Sequence, residues 1–199
     1  MSVYSKASLV VPDGIPLLWA AKFLGMPLKG RVNGTDLFEK LCEAAAANKY
    51  TLFFLGGRPG AAIGAAEILK QRHPGLQVAG AYSPPFGFEN DEAENRKIIE
   101  MIKNSKPDIL FVGLGAPKQE KWICAHKEEY RAPVSIGIGV SFELVSGMVK
   151  RAPLWMQRSG LEWFWRLMME PKRLWRRYIV EVMRFFWLLL IQRSRKKDI

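Results

Sequence analysis

Asp13 is the first residue of this 199-residue chain whose type and setting invite chemistry. It follows the apolar run Leu9-Val10-Val11 and precedes Gly14, a setting in which a carboxylate at the end of a buried strand can face a crevice. From there it could act as a general base toward a hydroxyl. The same position also suits a cap for the helix expected from Ile15, and both roles stay open. A more specific run is Gly113-Leu114-Gly115-Ala116-Pro117-Lys118-Gln119-Glu120. Gly113 and Gly115 permit close backbone approach, Pro117 suits a first helical position, and Lys118 and Gln119 offer polar contacts. Glu120 would favour the dipole of that first turn. A third run, Gly56-Gly57-Arg58-Pro59-Gly60, could cradle a diphosphate on backbone N–H groups ahead of a helix, or be a plain tight turn. It is neither a Walker loop nor the spaced-glycine dinucleotide fingerprint.

No Asp-x-Asp pair stands near the glycine runs, so a metal-bridged diphosphate has no evident ligands. Electrostatic help for a departing diphosphate would come from arginines and backbone dipoles. Arg31 and Arg58 are available at the expected crevice. Arg166, Arg173 and Arg176 follow at spacings that place them on one side of a helix. His73 and His126 are solitary, as are Cys42 and Cys124, which excludes a disulfide framework or Cys/His metal spacing.

Short apolar runs alternating with helix-like segments must position these residues. Leu9–Val11, Thr51–Leu55, Gln77–Tyr82, Ile109–Val112 and Pro133–Ile138 read as strands. Ile15–Leu24, Asp36–Asn48 with Asp36 as cap, Ala61–His73, Asp91–Asn104 and Lys118–Glu129 read as helices. The alternation predicts an α/β fold, a mainly parallel, Rossmann-like sheet wrapped by helices. In such sheets the ligand crevice lies beyond the carboxyl ends of the strands, where every unusual loop of this chain falls. With 49% apolar residues the chain can bury one sizeable core, which predicts a core over 1–149 and an appendage over 150–199.

That appendage holds 13 Lys/Arg against 4 Asp/Glu, whereas residues 1–149 hold 17 against 15, so +9 of the net charge of +11 sits at one end. Five of the seven tryptophans, Trp155, Trp163, Trp165, Trp175 and Trp187, share the same stretch. Cations interleaved with interface-seeking aromatics suit an anionic membrane surface. The apolar run Phe185–Ile191 is too short to span a bilayer, so a helix lying in the interface plane is expected. The alternative is a terminal helix packed on the core or in an oligomer contact. The start of the chain, Met1 to Lys6, lacks a signal-peptide core, and the cytoplasm is the default compartment.

Together these residues resemble the WecG/TagA/CpsF family of bacterial glycosyltransferases. The resemblance rests on Val11-Pro12-Asp13-Gly14, Arg31-Val32-Asn33-Gly34-Thr35-Asp36, Phe54-Leu55-Gly56-Gly57, the run from Gly113 to Trp122, and Arg151-Ala152-Pro153-x-Trp155-Met156-Gln157-Arg158. Gly160-Leu161-Glu162-Trp163, Arg166-Leu167, Glu170-Pro171 and Arg173-Leu174 extend it. It implies inverting transfer, without metal or other cofactor, from a UDP-sugar to an undecaprenyl-diphosphate-linked acceptor. The setting would be the inner face of the plasma membrane, with the protein peripheral. The sugar would be N-acetylmannosamine, its uronic acid or another hexose, destined for teichoic acid or another surface polysaccharide. Asp13 would be the general base; Arg31, Gly56, Gly57, Gly113, Gly115, Lys118 and Gln119 would bind substrate. Arg166, Arg173 and Arg176 would close over the diphosphate once the tail docks. The resemblance also implies a further N-terminal portion ahead of Val11-Pro12-Asp13-Gly14, and an inactive adaptor is the consequence if its loss removes activity. Glu143 stands where members often carry Asp after Phe.

A nucleic-acid-binding protein is a rival from another class, since basic aromatic segments also suit phosphate backbones and base stacking. The apolar run Phe185–Ile191 argues against it, because nucleic acid gives such a surface nothing to bury against. The same apolar surface would allow a homo-oligomer.

Overall fold

Thr51-Leu52-Phe53-Phe54-Leu55-Gly56 forms β1 (Thr51–Gly56), an apolar run of the kind a strand shows when both its faces are covered. β2 (Gln77–Tyr82), β3 (Ile109–Gly113) and β4 (Val134–Gly137) join it in one all-parallel sheet of order β2-β1-β3-β4. In a computed structural model describing residues 3–176, 180 and 182–195, without the side chains of Arg158, Arg173, Ser194 and Arg195, this is the sheet expected from the sequence.

Alternation along β1 and β3 divides the core in two. Leu52, Phe54 and Phe111 pack on α2 (Gly34–Asn48), α3 (Ala61–Arg72) and α6 (Ser141–Val145). Phe53, Leu55, Leu110 and Val112 pack on α4 (Glu92–Ser105) and α5 (Lys118–Tyr130). The rings of Phe38, Phe54 and Phe111 meet edge to face at 4.9 to 5.8 Å, the arrangement that aromatic quadrupoles favour. On the other side Asn95, buried, donates to the Phe88 and Asp91 carbonyls and accepts from Trp122 Nε1 at 2.8 Å. This ties α4 and α5 to the turn after β2.

Two compact units share the chain. The first takes the chain up to Val10 with Asn33–Lys150 and contains the sheet; the second takes Val11–Val32 and the chain from Arg151 on. The second unit holds α1 (Ile15–Phe23), α7 (Leu154–Arg158), α8 (Glu162–Met169), α9 (Pro171–Arg176) and α10 (Val182–Arg195). Val32 N–H donates to the Pro12 carbonyl at 2.9 Å, closing residues 11–32 into a loop around α1. One junction of the units falls between Lys150 and Arg151, and Val11–Val32 also belongs to the second unit.

Three local expectations are corrected. Leu9–Val11 is not a strand: no described strand pairs with it, and Leu9 is 80% exposed, so Asp13 does not end a buried strand. Asn33, not Asp36, caps α2, its side chain accepting from the N–H groups of Thr35 and Asp36 at 2.9 and 3.2 Å. Arg166 lies in α8, whereas Arg173 and Arg176 lie in α9, so one helix face does not carry all three. Pro171 explains the break, since it lacks a donor and disfavours helical geometry at Glu170.

Cys42 on α2 is fully buried, and burial pushes its thiol up to about 12 from an ordinary value of 9.0. Above pH 9 the unfolded chain's thiol ionises while the folded one stays neutral. Stability is therefore full below pH 9 and declines as pH rises toward 12. Thiol labelling of the native protein is expected at Cys124 alone, with Cys42 reacting only in denaturant.

Candidate active site

After β1 the chain turns through α3 to β2 on one side, and after β2 it returns through α4 to β3 on the other. The two directions part between β1 and β3, and a crevice at such a parting is where open parallel sheets bind ligands. Gly56 and Gly113 end these strands as paired residues. A Cβ built on Gly56 would stand 2.7 Å from the Gly113 carbonyl oxygen, and one on Gly113 would stand 2.7 Å from the Phe142 ring. Neither position has room for a side chain.

The loop after β1 is already satisfied from within. Gly57 N–H donates to Gly113 O at 2.8 Å and Arg58 N–H to Glu143 Oε1 at 3.2 Å. Ala61 N–H donates to Arg58 O at 2.8 Å. Ala62 N–H reaches Ser83 Oγ at 3.5 Å, while that hydroxyl donates to Gly56 O at 2.9 Å. The amides expected to cradle a diphosphate thus have internal acceptors, and a protein carboxylate stands beside them. Gly56 and Gly57 join the strand ends through internal hydrogen bonds rather than forming a ring of open donors.

That carboxylate, Glu143 at the start of α6, is 7% exposed. Its Oε2 is buried with no hydrogen-bond partner among the described residues. Gly57 lies beside it: a Cβ there would stand in ordinary contact with Oε2 at 3.6 Å. A buried, unpartnered carboxylate oxygen costs free energy in the empty fold and can be satisfied by a ligand O–H or N–H. Beside it, Ser141 Oγ donates to Ile138 O at 2.6 Å and meets Thr35 Oγ1 at 3.1 Å, fixing the loop after β4 to the start of α2.

Gln119 on α5 is 6% exposed. Its Oε1 accepts from Gly139 N–H and its Nε2 donates to Glu120 Oε1, both at 2.9 Å. It therefore braces the loop after β4, and Gly137 makes room, since a Cβ there would lie 2.6 Å from the Gln119 Nε2. Gly115, in contrast, faces open space. Lys118 pairs with Glu89 and lies 4.9 Å over the ring of Phe86, which is fully exposed. The hydrogen bond from Lys118 holds the Glu89 carboxyl below its usual range, helped by the Glu89 backbone.

Asp13, Arg31, Arg166 and Arg176 belong to the second unit. The helix start beside Asp13 is Gly14, without a side-chain cap, so Asp13 does not take the capping role. Asp13 is exposed and makes no hydrogen bond or ion pair with a described residue. Arg31 pairs with Glu162 at 3.5 Å, and Glu162 also takes Arg151 at 3.5 Å. Arg166 is half-buried on α8, and the exposed Arg176 lies 6.0 Å from the Trp175 ring. The side chain of Arg173 lies outside the described residues.

The structure thus gathers Gly56, Gly57, Gly113, Gly115, Lys118 and Gln119 around the strand ends of the first unit, and adds Glu143, Ser83 and Thr35. The signal for Glu143 was present, an acid directly after Phe142 in the glycine-rich turn following β4, but nothing in the sequence aims it at Gly57.

The family model described as Glycosyl transferase WecG/TagA/CpsF family matches residues 1–199. The N-acetylglucosaminyldiphosphoundecaprenol N-acetyl-beta-D-mannosaminyltransferase of Bacillus spizizenii strain W23 is 38% identical over 178 residues, 89% of this chain and 66% of its own length. The protein of the same name from Bacillus subtilis strain 168 is 34% identical over 195 residues, 98% of this chain and 73% of its own. The one from Staphylococcus aureus strain MW2 is 33% identical over 176 residues, 88% and 67%. The chain spans about two thirds of the length of these curated relatives.

Gly113→Ala is expected to lower stability by about 1–3 kcal/mol through overpacking against Phe142, read as a fall in Tm by calorimetry. An unchanged Tm would mean the strand ends are looser than described.

Proposed function

The chain belongs to the WecG/TagA/CpsF family of glycosyl transferases, and from that premise we propose that it moves N-acetylmannosamine or a related hexose from a UDP-sugar to an undecaprenyl-diphosphate-linked acceptor. The observation that carries this reading is the parting of β1 and β3, where Gly56 and Gly113 end side by side and the buried oxygen of Glu143 beside Gly57 has no partner among the described residues. A uridine hydroxyl or ring N–H is a fitting donor to that oxygen. Gly115 gives a ligand backbone space, and Gln119 and Gly137 hold the neighbouring loop in shape.

In the proposed single displacement the acceptor hydroxyl attacks the anomeric carbon. Asp13 takes the hydroxyl proton, a new glycosidic C–O bond forms, the C–O bond to the diphosphate breaks, and UDP leaves with the electron pair. Attack opposite the leaving group inverts the anomeric centre. Asp13 fits the part because its carboxylate has no partner to displace among the described residues. Arg31 is held by Glu162 as a positioning group within its unit. Arg166, Arg173 and Arg176 are the proposed electrostatic partners of the diphosphate, in the role a metal would otherwise fill.

The C-terminal helices suit a membrane surface as the place where such an acceptor is met. Trp155, Trp163, Phe164, Met168, Trp175 and Trp187 are all substantially exposed, among an excess of cations. No helix among the described residues is long and apolar enough to cross a membrane, and an interfacial position at the inner face of the plasma membrane is proposed.

The test is UDP release from a panel of UDP-sugars, with and without a soluble lipid-diphosphate-GlcNAc acceptor. Acceptor-dependent release with one donor is expected. UDP binding without turnover across the panel would favour an adaptor role instead. Asp13→Asn is expected to slow transfer by about 10²–10⁴-fold, the usual worth of a general base, with UDP affinity nearly unchanged; full turnover would remove Asp13 from the chemistry. Glu143→Gln is expected to weaken UDP binding by roughly tenfold, the loss of one charge-assisted hydrogen bond, measured by calorimetric titration.

A further inference from the structure

The segment from α1 to Gly30 carries an exposed apolar surface that the proposed chemistry does not use. Trp19 is 63% exposed, Met26 52% and Leu28 49%, with Leu17 and Phe23 also open to solvent. Every residue from Gly25 to Gly30 is exposed, so Met26 and Leu28 stand at a loop tip between two glycines. Five exposed large apolar side chains within twelve residues are a concentration of the kind that marks an interaction site in a folded protein.

The charge around it selects the partner. Lys22 and Lys29 are exposed within the segment, and no Asp or Glu occurs between Asp13 and Asp36. A second copy of the same surface would bring lysines against lysines. An anionic lipid surface offers phosphates to the cations, headgroup-level space to Trp19 and hydrocarbon to Met26 and Leu28. The segment is also tied to the C-terminal helices within its own unit. Arg193 of α10 lies 3.9 Å over the Phe23 ring and donates to the Phe23 carbonyl at 3.3 Å.

We propose that α1 and the Gly25–Gly30 loop form a second membrane-inserting element, with Trp19, Met26 and Leu28 entering an anionic bilayer surface and Lys22 and Lys29 meeting its headgroups. This rests on the reading that the C-terminal helices meet a membrane, and the experiment separates the two.

In the full chain carrying Cys124→Ser, Met26→Cys or Met168→Cys is labelled with an environment-sensitive NBD group; Cys42 is buried and does not compete. Vesicles of equal parts phosphatidylglycerol and phosphatidylcholine, with and without shallow spin-labelled lipid, are then added. A blue-shifted, several-fold brighter and lipid-quenched signal is expected at both positions. A response at 168 with none at 26 overturns this proposal and leaves the C-terminal docking standing. Silence at both overturns both. A signal at 26 that grows with protein concentration without vesicles overturns it in favour of self-association. Independently, the double variant Met26→Glu/Leu28→Glu should co-sediment with these vesicles about tenfold less well, from lost burial of two apolar side chains, and unchanged sedimentation would count against insertion.

Discussion

Everything at the candidate site hangs from the backbone contact between the ends of β1 and β3. Gly56 and Gly113 are paired across the sheet, and Gly57 N–H closes the contact by donating to Gly113 O at 2.8 Å. Because neither end carries a side chain, the loops that follow begin side by side. The bare Cα of Gly113 lets the Phe142 ring lie against it. Phe142 fixes the start of α6, and the next residue, Glu143, is thereby carried to Arg58 N–H. A Cβ at Gly113 would push Phe142 away and take Glu143 with it, so the geometry of a buried carboxylate depends on an absent methyl group.

The treatment of buried polar groups separates scaffold from site. Asn95 is buried with its amide fully used, two carbonyls and an indole N–H binding it. Such closed networks stiffen a fold. Glu143 is just as buried but satisfied at one oxygen only. An unsatisfied buried carboxylate oxygen is costly, and replacing such a group by an apolar one would in general be neutral or stabilising. Its presence at the sheet's parting is therefore better explained by what it can accept than by what it holds.

The parallel sheet was legible because β1 and β3 are apolar on both faces, a pattern that only a doubly covered strand tolerates. The helices of the first unit were legible from spacing, while the capping by Asp91, whose side chain accepts from Ala93 and Glu94 N–H, emerged only in the structure. Leu9–Val11 misled because β-branched residues favour a pleated surface only when a neighbouring strand supplies one. Asp36 misled because Asn33, three residues earlier, was the better-placed acceptor. Residue types pointed to loops that the fold brings together at the strand ends, but not to which donors the fold would consume. The Gly57 and Arg58 amides look available in sequence, and their acceptors, Gly113 O and Glu143, lie far along the chain. Gln119 was legible as important and not as buried, since its partner Gly139 follows a full helix and strand later.

The second unit shows why charge totals alone do not describe a basic surface. Its few acids include Glu162, and that one carboxylate takes both Arg31 and Arg151 while its own side chain is only 13% exposed. The pairing removes an acid from the outside and uses arginines that are themselves largely covered. That triad takes one net positive charge out of the count, and what is left outward is Lys22, Lys29, Lys172 and Arg176 among exposed Trp19, Trp155, Trp175 and Met168. Cations alone would suit any polyanion. Cations set among indoles and flexible aliphatic tips favour a partner with charge at its surface and hydrocarbon beneath, and a bilayer leaflet has both within the length of one side chain.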